Sequence, residues 1–91
     1  YGEATGRGWL TPESVRKRHQ HFDDAGWNHY RIRAQGPIIE TWINGQKIGT
    51  LDDQKAVESH PEGFIGLQVH GIGRGQGPYE VQWRNIRIQP L

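Results

Sequence analysis

The dipeptide Asn44-Gly45 constrains this chain more than any other feature, because it separates two segments with strand character. Residues 38–43 are rich in β-branched and aromatic side chains, and residues 46–51 follow directly after the dipeptide. A type I′ turn requires positive φ at both central residues, and Asn-Gly adopts this conformation most readily. The sequence therefore predicts an antiparallel hairpin, with strands over residues 38–43 and 46–51.

A preceding strand is predicted over residues 29–35, where polar and apolar side chains alternate strictly. This period of two is typical of a strand with one buried face. It predicts that Tyr30, Ile32 and Ala34 face a core. Gly36-Pro37 then predicts a turn into the hairpin.

Two more strands are predicted in the C-terminal third of the chain. Residues 63–70 alternate, and residues 79–88 alternate with a change of parity at Arg84-Asn85 that predicts a β-bulge. The charged residues 52–62 and the glycine-rich residues 71–77 are predicted to be loops. The glycine spacing does not fit the G-x-G-x-x-G nucleotide fingerprint, and the loop precedes a strand rather than a helix.

Five short strands with turns between them predict an all-β fold, an antiparallel β-sandwich or jelly roll. The 91 residues are predicted to form a single domain, with a loop-rich segment over 1–26 and a strand-rich segment over 27–91. Thr11-Pro12 is a helix-start signal within the first segment. Five strands are few for a sandwich, and Met is absent even at position 1. We therefore expect the chain to be the C-terminal part of a larger jelly-roll domain.

Charge and composition exclude several functions. Lys and Arg total 11 against 10 Asp and Glu, a net charge of +1, whereas nucleic-acid binding requires a clear basic excess. No stretch of 18 apolar residues is present, so no membrane-spanning helix is predicted. Cys is absent, which excludes disulfides, thiolate metal sites and a cysteine nucleophile.

Several segments together resemble a known family, in their order and their spacing. They are Trp27-Asn28-x-Tyr30-x-Ile32-x-Ala34-x-Gly36, Thr41-Trp42-Ile43-Asn44-Gly45, Gly63-Phe64-Ile65-Gly66-Leu67-Gln68-Val69-His70 and Arg84-Asn85-Ile86-Arg87-Ile88-x-Pro90-Leu91, preceded by Tyr1-Gly2-Glu3 and Arg7-Gly8-Trp9-Leu10. This pattern resembles the 3-keto-disaccharide hydrolase domain family. The resemblance covers nearly all of the chain but only the second half of the family domain.

The resemblance implies a concanavalin A-like jelly roll of two stacked antiparallel sheets with a carbohydrate ligand. It implies hydrolysis or elimination of 3-keto-glycosides, and an exported bacterial protein, periplasmic or extracellular. The expected partner is the N-terminal half of the same domain or a second chain.

His70 is the strongest catalytic candidate. The alternation places it with Gln68 on the polar face of the strand predicted over residues 63–70. A histidine can transfer protons near neutral pH or ligate a metal, but it can equally be a solvent-exposed side chain on an ordinary sheet face. The resemblance places the Gln68-x-His70 pair in the site, with His70 as the catalytic base or a metal ligand and Gln68 as a substrate contact.

Glu3, Arg7 and Trp9 are the other predicted substrate contacts, because they lie in segments that match the family. A carboxylate and a guanidinium can bind sugar hydroxyls or a keto oxygen, and an indole can stack on a sugar ring. The alternative is a surface ion pair beside a tryptophan that packs in the core.

No predicted strand carries two acids, since Glu40 and Glu80 stand alone. This argues against the two-carboxylate mechanism of most glycoside hydrolases. In a 3-keto sugar the ketone acidifies the C2 proton, so the resemblance implies β-elimination started by a base. A divalent metal often stabilises the resulting enolate, but the sequence identifies no metal. His19-x-His21 is either a metal-binding pair or part of a solvated loop.

Three functional hypotheses follow. The first is an enzyme that acts on 3-keto-glycosides by elimination. The second is a non-catalytic carbohydrate-binding jelly-roll module, and the third is a structural interaction domain that binds no sugar.

Overall fold

The computed structural model describes residues 19–91. The helix start predicted at Thr11-Pro12 lies outside the described residues. A 3₁₀ turn, His19–His21, is followed by three strands and a short helix. The elements are β1 (Tyr30–Gln35), β2 (Ile38–Ile43), β3 (Gln46–Asp52) and α1 (Gln54–Ser59).

The three strands form one antiparallel sheet in the order β1-β2-β3. This confirms the strands predicted over residues 29–35, 38–43 and 46–51. Asn44 has φ 50° and Gly45 has φ 80°, so both residues of the hairpin turn adopt the left-handed conformation that Asn-Gly predicts.

A β-bulge on β3, which the sequence analysis did not predict, separates two side chains that a regular strand would place together. Gly49 pairs with Thr41 and Lys47 pairs with Trp42, which leaves Ile48 as the extra residue. In an unbroken strand Lys47 and Leu51 would share a face, because side chains alternate with period two. The bulge instead puts Lys47 on one face of the sheet and Leu51 on the other.

The small core of the described structure lies on the apolar face of β2 and β3. Ile43 is 8% exposed and Leu51 is 7% exposed, and Thr41 is buried beside them. β1 shares this face, but its apolar residues remain open, with Ile32 64% exposed. The prediction that Tyr30, Ile32 and Ala34 are covered by a core was therefore wrong for the described structure, because no second layer of described residues packs over β1; the edge-to-face contact of Phe22 with Tyr30 covers only part of it.

Residues 52–62 contain the helix α1, so the prediction of a loop there was wrong. Asp53 is the N-cap, and its Oδ1 accepts a hydrogen bond from the backbone N–H of Ala56 at 3.2 Å. An aspartate at this position satisfies an amide that has no partner within the helix. Pro61 follows the helix end, as is common after helices.

No strand forms over residues 60–91 of the described structure, so the prediction of strands over residues 63–70 and 79–88 was wrong. Their apolar side chains are exposed, most of all Phe64 at 95%. A strand exists only where a neighbour completes its hydrogen bonds, and these segments have no sheet partner among the described residues. Asn85 has φ 56°, so the backbone turns at the position of the predicted bulge without a ladder around it.

The described residues thus form a three-stranded antiparallel sheet with little helix, which agrees with an all-β class. A second sheet, as a sandwich or jelly roll would require, does not occur within residues 19–91. None of the helices in the described part of the chain has the length and apolar character needed to cross a membrane.

Candidate functional site

The face of the sheet opposite the core carries a row of charged and aromatic side chains, which we call the polar face. The register of β1, β2 and β3 brings these residues, which come from three successive strands, side by side. The polar face comprises Arg31, Arg33, Gln35, Glu40, Trp42 and Lys47. Arg31 and Lys47 pair with Trp42 from either side, and Arg33 pairs with Glu40, so each of these cations lies beside an aromatic ring or a carboxylate.

Trp42 is flanked by two cations. The Arg31 guanidinium lies 4.9 Å from the centre of the indole ring, and the Lys47 ammonium lies 5.6 Å from it. Each such contact contributes about 0.5–1 kcal/mol at an exposed site. Trp42 is half-buried and sits between these cations on the polar face.

Glu40 is the acceptor at the centre of the polar face. Its carboxylate accepts a hydrogen bond from Lys47 Nζ at 3.1 Å, and its other oxygen lies 3.8 Å from Arg33 Nη1. Arg33 Nη2 also donates to Gln35 Oε1 at 3.0 Å. Ion pairs between partly exposed side chains add little stability, so the main effect of these contacts is to fix the directions of the four side chains.

A depression of about 300 Å³ opens beside these groups, lined by Arg33, Gln35, Ile38 and Glu40. Its wall combines hydrogen-bond donors, a carboxylate acceptor and an aliphatic surface. These residues were not among the site residues predicted from the sequence. The available signal was the hairpin register, which sets Arg33 opposite Glu40.

His70 and Gln68, the predicted catalytic and substrate-binding pair, lie outside this depression and are exposed. His70 Nδ1 lies 2.8 Å from the carbonyl oxygen of Gly71. Because a carbonyl only accepts hydrogen bonds, this contact requires the proton on Nδ1 and leaves Nε2 with its lone pair in neutral histidine. The geometry is thus compatible with proton abstraction by Nε2.

The other predicted substrate contacts, Glu3, Arg7 and Trp9, lie outside the described residues. Within residues 19–91, no group of three or more His, Asp or Glu side chains comes together to hold a metal ion. The described part of the chain therefore adds no ligand set to the histidines of His19-x-His21.

Two motif residues that carry the family resemblance have a structural explanation. Asn44 Nδ2 donates to the backbone oxygen of His21 at 2.7 Å and to Asn28 Oδ1 at 2.9 Å. Asn44 Oδ1 accepts from the backbone N–H of His29 at 2.9 Å, and Asn28 Nδ2 donates to the backbone oxygen of Asp23 at 2.7 Å. These hydrogen bonds attach the segment before β1 to the tip of the hairpin.

A third motif residue, Arg84, connects the C-terminal segment to the start of β1. Its guanidinium stacks over the Trp27 ring at 3.8 Å from the ring centre. Trp27 and Trp83 are 50% and 43% exposed. Trp27 thus acts in the described structure as a half-open platform for a cation.

The sheet, its polar face and the matching motifs define an antiparallel β domain with a carbohydrate-related sequence pattern. Residues 1–89 match the family described as the 3-keto-alpha-glucoside-1,2-lyase-like domain. The chain belongs to this family, which confirms the predicted resemblance and supports a carbohydrate-active role. No curated protein and no solved structure matches the chain.

Proposed function

We propose that this chain acts on 3-keto-glycosides by breaking the glycosidic bond through β-elimination. The observation that carries the proposal is the family match over residues 1–89, because the family description specifies a 3-keto-α-glucoside and a 1,2-lyase reaction. Elimination across C1 and C2 is the reaction that a C3 ketone favours, since the ketone acidifies the proton on C2.

His70 is the proposed base, and its Nε2 takes the C2 proton. The electron pair of the broken C2–H bond forms an enolate with the C3 ketone. When the enolate collapses, a C1=C2 double bond forms and the C1–O bond to the leaving group breaks. The departing oxygen takes up a proton, and later addition of water to the double bond would complete a net hydrolysis.

The hydrogen bond between His70 Nδ1 and Gly71 supports this role, because it directs the ring lone pair to Nε2. Metal ligation by His70 is the alternative role for the same side chain. We propose Gln68, Glu3, Arg7 and Trp9 as substrate contacts, as the family resemblance implies.

We also propose that the complete domain is a concanavalin A-like jelly roll, with the N-terminal half of the same domain or a second chain supplying further strands. The exposed apolar side chains of residues 63–70 and 79–88 support this, because they alternate as strands do and would be buried by a partner sheet. A periplasmic or extracellular location is proposed from the family resemblance.

The test is turnover of p-nitrophenyl 3-keto-α-D-glucoside by the full chain, followed by release of p-nitrophenolate and by formation of the unsaturated ketone. His70→Ala should lower turnover by about 10²–10⁴-fold, the usual contribution of a general base. His60→Ala is the matched control, since His60 is also exposed and its ring contacts the neighbouring Ser59 Oγ.

Loss of activity in both variants, or in neither, would contradict the role of His70.

A second candidate function, a non-catalytic carbohydrate-binding module, is favoured by the depression on the polar face, which lies apart from His70. Sugar binding without turnover in the unmodified chain would select this second function.

A further inference from the structure

The depression on the polar face has no part in the proposed elimination. We propose that it is a binding subsite for a neutral hexose unit, contacted by Arg33, Gln35 and Glu40 with Ile38 as its apolar wall. The inference rests on the proposed function for the class of ligand only. It concerns a surface separate from His70.

Size and chemistry both fit such a ligand. The volume of about 300 Å³ lies at the lower end of the range of small-molecule sites. A hexose presents hydroxyls that both donate and accept, and the lining offers a guanidinium donor, a carboxylate acceptor and a carboxamide. Ile38, 42% exposed, supplies an aliphatic surface for the C–H face of the sugar ring.

The geometry of the Arg33–Glu40 pair leaves room for a hydroxyl. Arg33 Nη1 and Glu40 Oε2 are 3.8 Å apart, whereas a direct charge-assisted hydrogen bond is about 2.7–2.9 Å long. A sugar hydroxyl beside the pair can accept from the guanidinium and donate to the carboxylate. Lys47 holds the other carboxylate oxygen at 3.1 Å, so Glu40 is oriented before the ligand arrives.

The distribution of charge favours a neutral sugar over an acidic one. Arg33 and Glu40 both line the depression and carry opposite charges, and Lys47 pairs with the Glu40 carboxylate beside it. Asp52 adds a second negative charge to this face, since the register places it opposite Ile38. The two cations and the two acids balance, so the depression offers a carboxylate-bearing sugar no net attraction, whereas hydroxyls use both signs of charge.

The experiment is an NMR titration of the ¹⁵N-labelled full chain with methyl α-D-glucopyranoside. We expect saturable shift changes at the amides of Arg33, Gln35 and Glu40. Glu40→Gln should weaken binding at least about tenfold, because hydrogen bonds to a charged acceptor are the stronger ones. Glu62→Gln is the matched control, since Glu62 is exposed and lies outside the strands of the sheet. This variant should bind the glucoside with the same affinity as the unmodified chain.

Methyl α-D-glucuronide is the second probe, and it should bind no more tightly than the glucoside. Any one of three results would overturn the subsite. The glucuronide could bind more tightly than the glucoside, Glu40→Gln could bind the glucoside as tightly as the unmodified chain, or the titration could give no shift changes at β1 and β2. The β1 and β2 amide shifts of unliganded Glu40→Gln show whether the sheet is intact. If this variant loses the sheet, Gln35→Ala replaces it and should likewise weaken binding.

The same titration on His70→Ala separates this inference from the proposed function. Binding at the depression should survive in that variant while turnover of the 3-keto-glycoside is lost. Turnover without binding at the depression would refute the subsite and leave the proposed function standing. Binding at the depression without turnover in the unmodified chain would refute the elimination and leave the subsite standing.

Discussion

Replacement of Asn44 should destabilise the hairpin through two separate effects. The side chain makes three hydrogen bonds, to His21, Asn28 and His29, at 2.7–2.9 Å. The backbone at Asn44 also has φ 50°, a conformation that Asn and Gly tolerate better than other residues. Asn44→Ala removes the hydrogen bonds and adds backbone strain, whereas Asn44→Gly removes the hydrogen bonds alone.

The magnitudes follow from these contacts. Each hydrogen bond has a net value of about 0.5–1.5 kcal/mol, and exposure of Asn44 favours the lower end, which gives about 1.5–2.5 kcal/mol for the three. An alanine in the left-handed region adds about 1 kcal/mol. We therefore expect the free energy of unfolding to fall by about 1.5–2.5 kcal/mol in Asn44→Gly and by about 2.5–3.5 kcal/mol in Asn44→Ala.

Equilibrium unfolding in urea, followed by tryptophan fluorescence, measures both values. Asn85→Ala is the control for strain, because Asn85 also has positive φ, 56°, and its side chain makes no hydrogen bond within the described residues. It should lose only about 1 kcal/mol. An Asn44→Gly variant as stable as the unmodified chain would refute the reasoning, since the hydrogen bonds would then contribute nothing.

Two further predictions concern local structure. Asp53→Ala removes the N-cap of α1 and should lower the free energy of unfolding by about 1 kcal/mol; urea unfolding measures this, and Asp53→Asn should recover most of it. Gly26→Ala would place its Cβ 2.8 Å from Asp23 Oδ2, so the carboxylate must turn away, and Asp23 Oδ1 would lose the hydrogen bond that it accepts from the backbone N–H of Ala25 at 2.9 Å. The expected loss of stability is about 0.5–1.5 kcal/mol. Gly26→Ala made in the Asp23→Ala variant should change the free energy of unfolding very little. Equal losses of stability with and without Asp23 would contradict the steric explanation.

Two of the residues in the family motifs have a structural role in this chain. Asn28 and Asn44 are held in a hydrogen-bond network that fixes the hairpin, so their presence in the pattern has a structural reason. The one side-chain hydrogen bond of His70 within the described residues is to the neighbouring Gly71, and it holds no other segment in place. This difference is why His70, rather than either asparagine, is the residue on which the catalytic proposal depends.

Local sequence was sufficient where neighbours along the chain decide the conformation. Asn44-Gly45 specified a tight turn because few dipeptides tolerate two positive φ angles, and the β-branched and aromatic residues before it favoured a strand. The helix α1 was predictable in principle, since Asp53 is a good N-cap, but the charged composition of residues 52–62 favoured a loop.

Tertiary structure decided which faces meet and which segments find partners. The bulge at Ile48 sets Lys47 beside Glu40 and Leu51 into the core, and the sequence contains no signal for this because bulges depend on pairing. The same limit applies to residues 63–70 and 79–88, whose alternation shows strand preference. A strand forms only when another strand completes its hydrogen bonds, and that requirement is met by spatial neighbours rather than by residues adjacent in the sequence.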